Sequence, residues 1–242
     1  MNRVLTTVLA VALLLGLGAL AVLALPGASA PLAAAPFVSA AAPDAPMAAR
    51  NFNMIAMPLD ATDQFVSAGY TFTADGLMQL AGGGTKVKQV GHWLADQEPA
   101  GMYETWTWDP IGEEGIGTDF NLEVGQAYWL LLESTASDVI SFVGDVPEPE
   151  SVSFALVRGT PCRFNQLSIP LDQAAVADAD DLMTALGAKQ ISQWVASGTN
   201  GQSFESWTWD PIEEKGIGTN FEVSIGYPYV VCLQTGTPTV WP

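Results

Sequence analysis

Basic residues are scarce in this chain. Lys and Arg number 8 against 26 Asp and Glu, a formal net charge of −18. Nucleic acids and anionic membrane surfaces are polyanions that require basic partners, so the balance disfavours both, and no nucleic-acid partner is expected. Histidine is represented by His92 alone. A Ser-His-Asp set would have to use it, and no G-x-S-x-G elbow accompanies it. The cysteines, Cys162 and Cys232, offer neither a Cys/His zinc spacing nor a C-x-x-C redox pair. Gly82-Gly83-Gly84-Thr85-Lys86 lacks the G-x-x-x-x-G-K-[ST] frame of a phosphate loop. Gly115-Ile116-Gly117 lacks the third glycine of a dinucleotide fingerprint. No catalytic residue, cofactor or metal is expected, and the chain reads as a non-enzyme. Charged residues of both signs make up only 14% of the chain, beside 23 Gly, 16 Pro and 8 Trp. That composition fits a β-rich exported protein better than a cytosolic helical one.

The N-terminus carries a targeting segment. Arg3 precedes an apolar run of 22 residues, Val4 to Leu25, ended by Pro26. A signal-peptide core is usually about 7–15 residues. At about 1.5 Å per residue the run also suffices for a bilayer core of about 30 Å. Residues 1–30 therefore read either as a long cleaved signal or as an uncleaved membrane anchor, an apolar N-terminal helix that precedes the modules. Ala28-Ser29-Ala30 has the small-x-small form of a cleavage site, although Pro31 would hinder the peptidase; Val38-Ser39-Ala40 is the fallback. No cysteine ends the run, which argues against a lipoprotein anchor. Residues 31–50 form an Ala/Pro-rich spacer. Both readings place the body outside the cytoplasm, at the cell surface or free, with membrane contact only through residues 4–25 if these are retained. An even cysteine count in an exported chain predicts one disulfide, Cys162 to Cys232. Two buried free thiols are the alternative.

What is abundant is repetition. Thr105-Trp106-Thr107-Trp108-Asp109-Pro110-Ile111 returns as Ser206-Trp207-Thr208-Trp209-Asp210-Pro211-Ile212. Each copy runs on into Gly-Ile-Gly-Thr-Asp/Asn-Phe. The chain is one unit used twice: residues 51–147 and 163–242, joined by a linker at 148–162 in which Ser151 to Val157 alternates like an additional strand. Phe52 and Phe164 stand 112 positions apart, whereas Lys88 and Lys189 stand 101 apart, so the first unit holds 11 extra residues between Asp60 and Lys88. Within each unit, an alternating opening strand stops at Pro58 or Pro170. An aspartate-led segment follows: Ala177 to Gly187, with a counterpart at Asp75 to Leu80. It has apolar residues at helical spacing and predicts one short capped helix. A Trp-bearing strand, the Trp-Thr-Trp-Asp-Pro strand, an acidic glycine loop, an apolar strand and a short closing strand complete the unit. The expected fold is mainly β and sandwich-like: two tandem small β-rich modules, each with one short helix.

The order Phe-Asn-x-Ile/Leu-x-x-Pro-Leu, a Trp strand, then Gly-x-x-Tyr-Trp/Val resembles a loosely defined tandem repeat of secreted and surface bacterial proteins. Those repeats open on W-N-L-I-S-L-P and close on P-G-x-G-Y-W. The resemblance covers both units. Val124 and Ile225 depart from it at the proline, and Ala127 and Pro228 at the second glycine. It implies an extracellular module and carries over no catalytic residue.

Two constellations stand out as binding candidates. In a strand, Trp106 and Trp108 share one face, as do Trp207 and Trp209. They could stack on sugar rings, with Asp109 and Asp210 bonding hydroxyls. Equally, they could be sheet core, where indoles supply a large buried area, and Trp93 and Trp194 on a neighbouring strand favour that reading. The acidic loops Asp109 to Asp119 and Asp210 to Asn220 could wrap a calcium ion. They lack the EF-hand spacing, however, and Lys215 opposes a cation, so solvated hairpin tips are expected. His92 has Gln193 as its mate and so lies outside the shared design. The function expected is that of an exported, non-enzymatic cell-surface structural or interaction protein, with self-assembly one mode open to it. Its partners would be other protein subunits or surface glycans. The alternatives are a carbohydrate-binding module and an anchored accessory subunit of a membrane complex.

Overall fold

The computed structural model describes residues 38–40, 51–99, 101–133, 138–148, 152–169, 175–198, 201–236 and 238–241. The apolar segment 4–25 and the expected N-terminal helix lie outside them. Among the described residues no helix is long and apolar enough to cross a membrane.

The first module contains β1 (Val38–Ala40), β2 (Asn51–Ala56), α1 (Thr62–Ser67), α2 (Ala74–Leu80), β3 (Val87–Leu94), β4 (Met102–Asp109), β5 (Glu114–Gly117), β6 (Ala127–Leu132) and β7 (Asp138–Ile140). The second contains β8 (Phe154–Ala155), β9 (Arg163–Ser168), α3 (Ala179–Leu186), β10 (Ala188–Gly198), β11 (Gly201–Asp210), β12 (Lys215–Gly218), β13 (Pro228–Leu233) and β14 (Val240–Trp241). The protein is mainly β, and every strand pair is antiparallel. The two five-stranded sheets have matching orders, β2-β6-β3-β4-β5 and β9-β13-β10-β11-β12. Each module adds a two-stranded ribbon, β1-β7 or β8-β14. Residues 152–157, assigned from sequence to the linker with a strand, supply β8. They also place Val152, Phe154 and Leu156 in the second core.

Alternation decides the faces. From β2 and β6, Ile55, Tyr128, Leu130 and Leu132 turn to one side and meet Leu77 and Met78 of α2. Leu167, Tyr229, Val231 and Leu233 do the same against Leu182, Met183 and Leu186 of α3. Each sheet thus carries its helical cover on one face. The buried tyrosines repeat a device of their own. The Tyr128 hydroxyl accepts the Glu123 N–H and the Tyr229 hydroxyl the Ser224 N–H, each at 2.8 Å. Their rings stack on Phe120 and Phe221. Burial pushes Tyr229 up to about 12 and raises Tyr128 further.

One expectation is corrected. The first module has two helices, because part of the insertion before α2 builds α1. Its Phe65 is fully buried, edge-on to Phe72 with ring centroids 5.0 Å apart. The Gln64 side chain ties the helix to the closing segment, donating to Ser141 O and accepting from Val143 N–H. The helix is six residues long and has no side-chain N-cap. Tertiary burial of one phenylalanine holds it, and no capping or periodic signal announces it. By contrast α3 has both ends marked in sequence: Asp178 accepts the Asp181 N–H at 3.0 Å, and Gly187 turns left-handed at φ 58°.

Candidate functional site

The four candidate indoles do not form one flat platform. Trp106, Trp108 and Trp207 pack half-buried against the module cores, while Trp209 is 40% exposed. Trp106 donates its indole N–H to Asp75 Oδ1 at 3.0 Å, and Trp207 to Asp180 Oδ1 at 2.8 Å. Each thereby pins the first turn of a helix to the sheet. The ring faces are covered by glycines across the hairpin, Gly115 on Trp106 and Gly216 on Trp207; a Cβ at either would run into the indole. Gly84, from the glycine loop of the first module, covers Trp108 in the same way. The second module has no such loop, and that is why Trp209 is the exposed member.

The acidic loops are hairpin tips. Asp109 Oδ1 accepts the Ile111 N–H at 2.9 Å, and Asp210 Oδ1 the Ile212 N–H at 2.8 Å. Both aspartates therefore close turns. Glu113 and Glu214 adopt left-handed backbone at φ 53° and 51°. Ile111 and Ile212 stand at the tips, 93% and 90% exposed. The loop ends serve the helices: Asp119 accepts the Asp75 N–H and Asn220 the Asp180 N–H, at 2.8 and 3.0 Å. Among the described residues no three His, Cys, Asp or Glu side chains converge as a metal site.

His92 belongs to the shared design after all. Its Nδ1 lies 2.9 Å from Glu104 Oε1, and Gln193 makes the same cross-strand contact to Glu205 at 2.9 Å. The imidazole also packs on Phe120 and Tyr128. The cysteines are joined, Cys162 to Cys232. The bridge ties the start of β9 to its neighbour β13.

The more informative geometry lies at the seam, which sequence reasoning did not single out. β2 lies against β10 and β13, and β9 against β3 and β6. Trp93 donates its N–H to Phe164 O at 2.8 Å, and Trp194 donates to Phe52 O at 2.9 Å. Trp93 matches Trp194 and Phe52 matches Phe164, so the contact is reciprocal, as at a two-fold dimer interface. Around this pair the two halves differ. The Gln202 amide caps the free edge of β2, bonding Phe52 O at 3.0 Å and Phe52 N–H at 3.3 Å. Arg163, almost fully buried, reaches Pro99 O and Glu98 in the β3–β4 connection. Ser168 donates its N–H and hydroxyl to Gly125 O.

On the seam face of the first sheet this leaves a groove of about 410 Å³, lined by Phe52, Gln89, Gly91, Tyr103, Thr105, Trp129, Leu131 and, from the second module, Trp194. None of these side chains is charged. Trp129 and Trp194 meet edge to face at 5.1 Å, and Phe204 closes on both. The Tyr103 hydroxyl accepts from Gln166 Nε2 at 2.9 Å, and burial raises its pKa, that bond offsetting part of the rise. The Trp129 N–H is buried near this hydroxyl without closing a hydrogen bond of normal geometry. The matching face of the second sheet carries different side chains. Ser192 replaces Gly91, Val230 replaces Trp129, and Gln190, Ser192 and Ser206 bond one another at 2.8–3.2 Å. The signal for the groove was present in sequence only as mismatches between the units.

Comparison with family models, with curated proteins and with solved structures gives no match for this chain.

Proposed function

We propose that this is an exported, non-enzymatic interaction protein of the cell surface, whose two fused modules offer one rigid body to other protein subunits. The observation that carries the reading is the uncharged aromatic groove at the seam, framed by the reciprocal Trp93 and Trp194 bonds. Aromatic side chains with few charges are the composition of protein-contact surfaces. The carboxylates support the same reading. Asp75 and Asp180 hold indoles, Asp109 and Asp210 close turns, and Asp119 binds a helix end. The disulfide is compatible with an oxidising compartment.

Sugar binding at the Trp pairs is favoured by one observation, the exposed Trp209 beside Asp210. A single exposed indole in each chain is a weak platform, so protein contact is the preferred reading. The test is fractionation of producing cells followed by cross-linking of intact cells. The protein is expected outside the cytoplasm, with Cys162 and Cys232 oxidised and in adducts with other proteins. A reduced, cytoplasmic, adduct-free pool would overturn the proposal.

A further inference from the structure

The seam uses only part of each sheet face. Directly paired residues stand on the same face of a sheet, so the registers trace rows across all five strands. In the first module one row runs Phe52, Leu131, Gln89, Thr107, Ile116. Its match in the second runs Phe164, Cys232, Gln190, Thr208, Ile217. The rows differ only at Leu131 and Cys232. Phe52, Leu131 and Gln89 line the groove, so the first row lies on the seam face, and the matched register puts the second row on the corresponding face. Three matched pairs of large apolar side chains stay between 38% and 51% exposed there: Phe52 with Phe164, Tyr103 with Phe204, and Ile116 with Ile217. Folding of a single chain gives no reason to keep apolar side chains outside at the same places in both units.

The chemistry of the rows restricts what can cover them. Neither row holds a charge, so an ionic partner would bury its own charge unpaired. Gln and Thr side chains each offer a donor and an acceptor. A second row of the same kind meets them without orphaning a polar group. The seam is the precedent: there the first-module face already takes a second-module face as partner, and the exposed arms continue that contact. The edge strands next to these arms start on Glu114 and Lys215, matched positions of opposite charge. In the single chain Lys215 is held by Glu213, an exposed pair weak enough to exchange. Unlike edges therefore attract where like edges repel.

We propose that the uncovered arms pair between copies, the first-module face of one chain on the second-module face of the next, so that the protein assembles head to tail. This rests on the protein-contact reading above and names the partner as a second copy. The two surfaces are different patches, so the contact does not close on itself and extends as a row of subunits. The net charge of −18 opposes it at long range, and salt relieves that repulsion.

Sedimentation velocity of the protein as producing cells export it, at about 0.5 M salt, reads the assembly directly. A mild detergent keeps residues 4–25, where retained, from joining the chains. The parent should form oligomers that grow with concentration. Ile116→Asp and Ile217→Asp should each weaken association by roughly tenfold or more. Val66→Asp, which adds the same charge to an exposed position of α1, should leave it unchanged. Each isoleucine variant keeps one intact arm, so mixing the two should give a one-to-one dimer that neither forms alone. All variants should melt with the parent; if an aspartate variant fails to fold, Ile→Thr at the same position replaces it. A monomeric parent overturns the inference, as does association that survives both isoleucine substitutions or falls equally with Val66→Asp. Adducts with a different protein on intact cells, lost in Ile116→Asp, give the face to that protein and overturn it too. If the parent is monomeric but such adducts persist in both variants, the second-copy assignment fails and the protein-contact reading survives.

Discussion

Gly115 and Gly216 lie flat on the indoles of Trp106 and Trp207, where no other residue has room. Alanine at either position drives a methyl group into a ring that is already held by an aspartate and a core. The expected cost is about 1–3 kcal/mol, read as a lower urea midpoint with unchanged slope. The Trp pairs should separate in the same assay. Trp108→Ala removes an indole covered by Gly84 and is expected to cost about 3 kcal/mol or more. Trp209→Ala removes an exposed one and should cost under about 1 kcal/mol. Tyr229 predicts the alkaline limit. Its pKa is raised in the folded state to about 12, from 10.0. The neutral phenol is therefore the folded form. Its contribution is fully present below pH 10 and is lost as pH rises through about 12, amounting to about 3 kcal/mol. Tyr128 acts in the same direction. Alkaline titration should show tyrosinate absorbance appearing together with loss of β-sheet signal. Ionisation of all five tyrosines well before unfolding would contradict it.

At the scale of elements, what the sequence made legible follows from local chemistry. The opening strand of the second unit alternates, and Leu167 and Ile169 are indeed inside while Phe164 is out. Asp178 and Gly187 bracket α3 as caps should. The Trp strand was read correctly as placing Trp106 and Trp108 on one face, because a period of two needs no tertiary information. Helix α1 was not legible. Neither cap nor period marks Thr62 to Ser67, and only the distant partner Phe72 explains Phe65. The bridging role of Cys162 is also an element property, since it fastens β9, an edge strand, to β13. Opening it frees a loop with a sequence separation of 70, which in the chain-entropy model removes about 4 kcal/mol. Reduction should lower the melting temperature of the protein. Equal melting of the oxidised and reduced protein would argue against a stabilising bridge.

At the scale of the whole molecule, the seam was illegible because it joins residues that no local pattern relates. Trp93 and Phe164 are 71 positions apart, and Trp194 and Phe52 are 142 apart. Their equivalence becomes visible only when the two units are superposed in register and in space together. Replacing Trp93 and Trp194 together with Phe removes both reciprocal hydrogen bonds, each worth about 1 kcal/mol net; Phe52 O keeps its bond from Gln202 and Phe164 O turns to water. Calorimetry should then resolve two transitions where the parent gives one. A single transition at the parent temperature would show that the remaining contacts, Arg163 and Ser168 among them, couple the modules without the indoles.

The reciprocal seam has a consequence for valency. Two identical subunits meeting this way would carry two equal grooves facing opposite directions, and any ligand with two arms could string them into chains. Joining the subunits in one polypeptide lets the halves diverge, and here Ser192 and Val230 stand in one half where Gly91 and Trp129 stand in the other. What results is a polar object: among the described residues the seam groove has no copy related by the internal symmetry. A surface coated with such molecules would count its guests one per chain, and any avidity would have to come from how densely the chains stand.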